Sequence, residues 1–151
     1  MEQAEFEALL ADSSKVVSGD IEWSNDEDHS PWVEFRVAVA SEPGYPLFVK
    51  GSYNALARAL TFALIHRGNG RIYALDMGKA HKNRDGTRVG EKHKHTWNAG
   101  PLRDTHAYVP QDITESVDNP VAVWRQFCLE AKIKHEGTLT KPPPVQMELL
   151  P

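Results

Sequence analysis

Between residues 78 and 97 the chain reads GKAHKNRDGTRVGEKHKHTW, three histidines, four lysines, two arginines and a tryptophan within a protein of formal net charge −4. Histidine titrates near neutral pH and can take or give a proton, and lysine or arginine can balance charge building on a phosphate. Cleaving RNA through its own 2′-hydroxyl needs a base, an acid and such a cation. His81, His93, His95 and Lys79 are therefore the candidate catalytic set, with Lys82 and Lys94 as further cations for the phosphate. No metal or cofactor is required by this chemistry. Lys82, Asn83, Arg84, Arg88, Lys92, Lys94 and Trp97 form the candidate ligand-binding set. Basic residues interleaved with an aromatic ring suit a single-stranded nucleic acid, whose backbone is attracted by charge and whose bases stack.

The spacing converts this composition into geometry. If residues 91–97 are extended, the period of two puts Glu91, His93, His95 and Trp97 on one face and Lys92, Lys94 and Thr96 on the other. Asp85-Gly86 and Gly90 supply turn chemistry, so a long hairpin with its tip near residues 84–87 would bring His81 beside His93 or His95.

The same residues allow a metal site. A His-x-His pair with His81 or His106 offers three nitrogen ligands, and Glu91, Asp85 or Asp104 could support them. This ranks below phosphate chemistry, because the cations of the same loop would oppose a divalent ion. A third reading is plainer: a lysine-rich hairpin is simply exposed. His29, His66 and His135 stand beside acids or at expected helix ends and read as structural.

The elements that must position these residues belong to one domain, since 151 residues suffice to bury a core without metal or disulfide support. The single cysteine, Cys128, excludes an internal disulfide, and no apolar run approaches the length of a membrane-spanning helix. The acidic start, MEQAEFEALLADSS, does not resemble a secretory leader, so a cytoplasmic location is expected. Charge is unevenly distributed. Residues 1–34 hold ten acids against one lysine, whereas residues 78–103 hold seven basic residues against two acids. The two segments either neutralise each other or equip the molecule for an anionic ligand or an acidic protein partner.

Phe6, Leu9 and Leu10 predict a short N-terminal helix, and Ile21 and Trp23 alternate as in a strand. VEFRVAV alternates cleanly, SEPGYP is a turn, and LFVKG should return antiparallel. SYNALARALTFALIHRG reads as a helix, with Ser52 or Asn54 as cap, Leu56, Leu60 and Leu64 as its stripe, and Gly68 beyond its end. RIYALDM predicts a strand, with HKHTW as its partner. A last helix runs from Asn119 and Pro120 to Gly137, with Cys128 on its buried side. The expected fold is α+β, a mostly antiparallel twisted sheet with two or three helices packed on one face. Residues 1–137 make the domain, and the proline-rich residues 138–151 make an extended tail.

The segments RIYALDMGKAHKNRDGTRVGEKHKHTW, AYVPQDI and VWRQFCLEAKI resemble a family of small uncharacterised bacterial proteins with Gly-Lys-x-His-x-Asn and His-x-His segments. The resemblance covers about the C-terminal half. It implies that Lys79, His81, Asn83, His93 and His95 act as one unit, and it implies no particular reaction. Two functions of different class follow as expectations. One is a metal-independent ribonuclease or phosphodiesterase acting on RNA, single-stranded nucleic acid or a nucleotide. The other is a non-catalytic binding or inhibitor protein, antitoxin-like or phage-derived. No membrane partner is expected.

Overall fold

The computed structural model describes residues 1–78, 80–100 and 106–145. Helix α1 (Gln3–Ala11) leads into β1 (Lys15–Ser18), and a run of strands follows: β2 (Ser24–Asn25), β3 (Val33–Val39), β4 (Leu47–Asn54), β5 (Ala59–His66) and β6 (Gly70–Met77). A short hairpin, β7 (His81–Lys82) and β8 (Arg88–Val89), precedes β9 (Lys92–Thr96), β10 (Ala107–Tyr108), α2 (Pro120–Ala131) and β11 (Ile133–Glu136). The class is α+β: a seven-stranded antiparallel sheet in the order β10-β9-β6-β5-β4-β3-β2, with two helices among the described residues. β1 and β11 form a separate parallel pair.

Cross-strand register sorts the sheet into two unlike faces, because directly paired residues project the same way. On one face Phe35, Phe62 and Leu75 follow each other across the strands, as do Val37, Val49, Leu64 and Tyr73. Against them α2 lays Trp124 and Phe127, whose rings stand 5.2 and 5.8 Å from that of Phe62. Phe6 and Leu9 of α1 join the same core. The other face carries polar rows: Ser52, Thr61, Asp76 and His93 in one, Lys50, Ala63, Ala74 and His95 in the next.

The helix expected over SYNALARALTFALIHRG is absent. Residues 47–54 and 59–66 are the adjacent strands β4 and β5, joined by a turn in which Arg58 adopts φ 51°. A central strand is covered on both faces and so reads as a continuous apolar run, which periodicity alone does not separate from a helix. Leu56, placed on the buried stripe by a helical reading, is 61 % exposed at the turn. The last helix also ends earlier than Gly137. Lys132 turns left-handed at φ 53°, and Ile133–Glu136 then pairs with Lys15–Ser18, so the chain leaves the helix for a strand. Beyond it, residues 138–140 lie along Ile21, with Leu139 buried and the Thr140 amide donating to the Ile21 carbonyl.

Candidate metal centre

The site starts from the alternation of β9. Its register against β6 pairs Asp76 with His93 and Ala74 with His95, so both imidazoles rise from the face opposite α2 and both rings are buried. His81 enters from the hairpin. Gly78 ends β6 at φ 103°, where a Cβ would lie 2.6 Å from the Arg58 carbonyl, so only glycine lets the chain leave the sheet there. Asn83 then clamps the hairpin to β10: its Nδ2 donates to the Ala107 carbonyl at 2.9 Å, and its Oδ1 accepts the Ala107 amide at 2.8 Å.

These constraints bring three rings together. The His81 centroid lies 5.5 Å from that of His93 and 4.9 Å from that of His95, and His93 and His95 are 4.9 Å apart. One ring nitrogen of each falls within 4.8 Å of the others. Asp76 Oδ2 stands 3.1 Å from His95 Nε2 and 3.5 Å from His93 Nε2. Atoms bound to a common ion through bonds near 2.1 Å in tetrahedral arrangement are separated by about 3.4 Å; the Asp76 contacts to His93 and His95 are near that value, and the three ring nitrogens would have to draw together to share an ion. The other nitrogen of His93, Nδ1, lies 3.1 Å from the Gly90 carbonyl. A carbonyl only accepts, so Nδ1 carries a proton and Nε2 is the nitrogen turned toward Asp76; with a proton Nε2 donates to that carboxylate, and without one it presents a lone pair in the orientation a metal-binding histidine adopts.

Asp76 is itself fixed. Thr61 Oγ1 donates to its Oδ1 at 2.7 Å, and Arg71 Nη1 is 3.7 Å from Oδ2. Burial alone would raise its carboxyl, but hydrogen bonds from His93, His95 and Thr61, with the Arg71 charge, hold it well below the usual carboxylate range. The group is a fixed anion beside the imidazoles of His93 and His95. The cluster opens into a cleft of about 460 Å³ lined also by Trp32, Ala59, Met77 and Ala80.

Over residues 1–133 the sequence matches the family of unknown function DUF6978. The chain belongs to that family. Asp76, His81, His93 and His95 all fall inside the matched span of this DUF6978 protein. No curated protein and no solved structure matches it.

Other residues singled out in the DUF6978 chain lie elsewhere. Lys94 projects to the opposite face, fully buried, with Nζ 2.6 Å from Asp112 and 3.0 Å from Glu130 and above the Tyr73 ring. Lys92 is on that same face and donates to the Ile113 carbonyl at 2.5 Å. Both are bound to the body of the protein rather than presented to a ligand. Trp97 lies past the end of β9 in the apolar core, and the aromatic wall of the cleft is Trp32. Asn83 is the hairpin clamp. His81 pairs with Val89 of its own hairpin, whose turn spans residues 83–87, and it reaches His93 and His95 only through its ring. Lys82, Arg84 and Arg88 are exposed on that hairpin. Lys79 lies outside the described residues. His106 is exposed, and His135 is held between Trp124 Nε1 and the Gly19 carbonyl.

Sequence reasoning missed Asp76, Thr61, Arg71 and Trp32 as wall or cluster residues. Asp76 carried a usable signal, a carboxylate alternating with Leu75 and Met77 inside an otherwise apolar strand. Among the described residues no helix is long and apolar enough to cross a membrane.

Proposed function

We propose that this protein is a metal-dependent hydrolase whose divalent first-row transition ion is held by His81, His93, His95 and Asp76. The carrying observation is the convergence of three imidazole nitrogens to within 4.8 Å of one another, with Asp76 Oδ2 3.1 Å from His95 Nε2 and 3.5 Å from His93 Nε2. The objection from surrounding cations is narrowed to Arg71, 3.7 Å from Asp76 Oδ2, among the described residues of the cleft wall. Lys92 and Lys94 are turned to the other face, and Asp76 supplies a negative charge at the cluster. An ion of this type accepts five or six ligands, so four from the protein leave room for water on the cleft side. Such an ion supplies hydroxide near neutral pH. Thr61 holds Asp76 and Gly90 holds His93, so the donor set is oriented before any ion arrives. Arg71, in the same wall, can balance charge on an anionic transition state.

Elemental analysis of the purified protein, with visible spectroscopy on Co(II) loading, tests this. One ion per chain is expected, with a cobalt spectrum that is lost in His93→Ala and His95→Ala. Wild-type protein that takes up neither Zn(II) nor Co(II) overturns it.

A second reading keeps the same residues without an ion: His81, His93 and His95 exchange protons with a phosphodiester while Arg71 balances its charge. The placement of Arg71 in the cleft wall favours it. Undiminished phosphodiesterase activity after chelation would select this reading over the first.

A further inference from the structure

The histidine cleft does not end at Arg71. Trp32, Thr61 and Arg71 also line a second hollow of about 410 Å³, which continues along the same face over Ser52, Ala63 and Lys50. Lys50 and His95 occupy one cross-strand row, with β5 and β6 between them. At about 4.8 Å per strand the row spans about 14 Å. Ala63 keeps its floor low. The row continues to Arg36 on β3, whose guanidinium lies 4.5 Å from the centre of the Phe48 ring, and the Arg67 guanidinium lies 5.3 Å from the same centre. Three acids near this face have partners: Asp76 with the histidines, Asp26 at 3.2 Å from His29, and Glu34 at 4.0 Å from Lys50, a long and exposed pair that a phosphate can displace.

A groove with cations spaced along it, an aromatic side chain at its midpoint and a reactive cluster at one end fits a ligand that repeats charge and carries flat rings. We propose that this groove holds a single-stranded nucleic acid, with a base stacked on Trp32 and backbone phosphates against Arg71 and Lys50, so that one phosphodiester lies over the histidine cluster. The inference names the substrate of the hydrolase proposed above and rests on that reading for the reaction, although not for the binding. Its surface is not the basic hairpin. Lys82, Arg84 and Arg88 are not needed for the grip, because the cations that share a groove with the histidines come from β4 and β6.

Fluorescence anisotropy with short labelled RNA and DNA oligonucleotides tests the proposal, with metal content measured on the same preparations and folding checked by thermal melting. Binding should weaken as salt rises. Trp32→Ala should weaken it about tenfold and Trp32→Phe should restore most of the loss, as stacking requires. Lys50→Ala should weaken it about threefold and flatten the salt slope by about one. His93→Ala should lose the metal, and the Trp32→Ala and Lys50→Ala losses of binding should persist in that background. RNA and DNA binding alike supports a grip on phosphates and bases; cleavage confined to RNA would add that the 2′-hydroxyl takes part. Absence of oligonucleotide binding by the wild type, wild-type affinity in both Trp32→Ala and Lys50→Ala, or equal displacement by polyglutamate would overturn the proposal. If the wild type takes up no metal while the Trp32 and Lys50 effects hold, the metal reading falls and the groove stands.

Discussion

Asp76 and His93 face each other across β6 and β9 as directly paired residues, and the same carboxylate oxygen that lies 3.5 Å from His93 lies 3.1 Å from His95 one step along the strand. One acid thus spans both members of the His-x-His pair. Asp76→Asn keeps the shape and removes the charge, so it should reduce Co(II) affinity by about 10- to 100-fold with little change in melting temperature. Competitive titration against a chromophoric chelator measures this, and unchanged affinity would remove Asp76 from the ligand set.

Asn83 acts on the centre through His81. Asn83→Ala strands the amide and carbonyl of Ala107, two buried backbone groups, and should cost about 2 kcal/mol in urea unfolding. It should also loosen the ion, because the hairpin that delivers His81 loses its clamp. A loss of stability with no loss of metal affinity would show that the hairpin is held by other contacts.

Lys94 separates stability from chemistry. Its ammonium is buried between Asp112 and Glu130 behind the sheet, so Lys94→Ala should cost about 3 kcal/mol and leave metal stoichiometry at the wild-type value. Lys94→Met, which refills the volume, should cost less. Metal loss in a folded Lys94→Met variant would contradict the separation of the two faces.

Lys15 predicts a pH dependence. Its Nζ is buried beneath α1 and donates to the carbonyls of Leu9, Leu10 and Asp12, closing the end of that helix. Burial pushes its pKa down to about 8 from the ordinary 10.5, with Asp12 opposing and Lys132 assisting. The unfolded chain therefore binds the extra proton between these values, and stability rises with pH across that window. Urea midpoints should increase by the equivalent of about 1 kcal/mol from pH 8 to 9.5 in the wild type, relative to Lys15→Met. Parallel pH profiles for the two proteins would refute the assignment.

Cys128 should be inert. Burial against the core raises its thiol to about 12, so iodoacetamide at pH 8 should label it only after unfolding. Rapid labelling of the folded protein would show that the core around α2 opens.

The sequence displays the candidate site residues better than it displays the frame. The alternation of KHKHT is local, and a period of two suffices to separate His93 and His95 from Lys94. The partners of each face are distant in the chain: Asp76 comes from β6, Thr61 from β5 and Trp32 from the loop before β3, and only pairing order brings them together. The central helical reading fails for a related reason. ALTFALIH has good helix formers, and its burial on both faces of a sheet leaves no alternation to contradict them. The short β1 and β11 carry no signal that names their partner, since each is a four-residue strand paired across most of the chain.

The two-faced register of β6 and β9 has a consequence for how the molecule matures. A slip of one residue would exchange the faces, sending Leu75 and Tyr73 toward the cleft and Asp76, His93 and His95 into the aromatic core. Such a state loses its apolar packing and its donor set together. Folding itself therefore proofreads the site: a chain that has formed its core has already aligned the histidines on β9 with Asp76, and an ion held there would meet a finished cradle rather than assemble one.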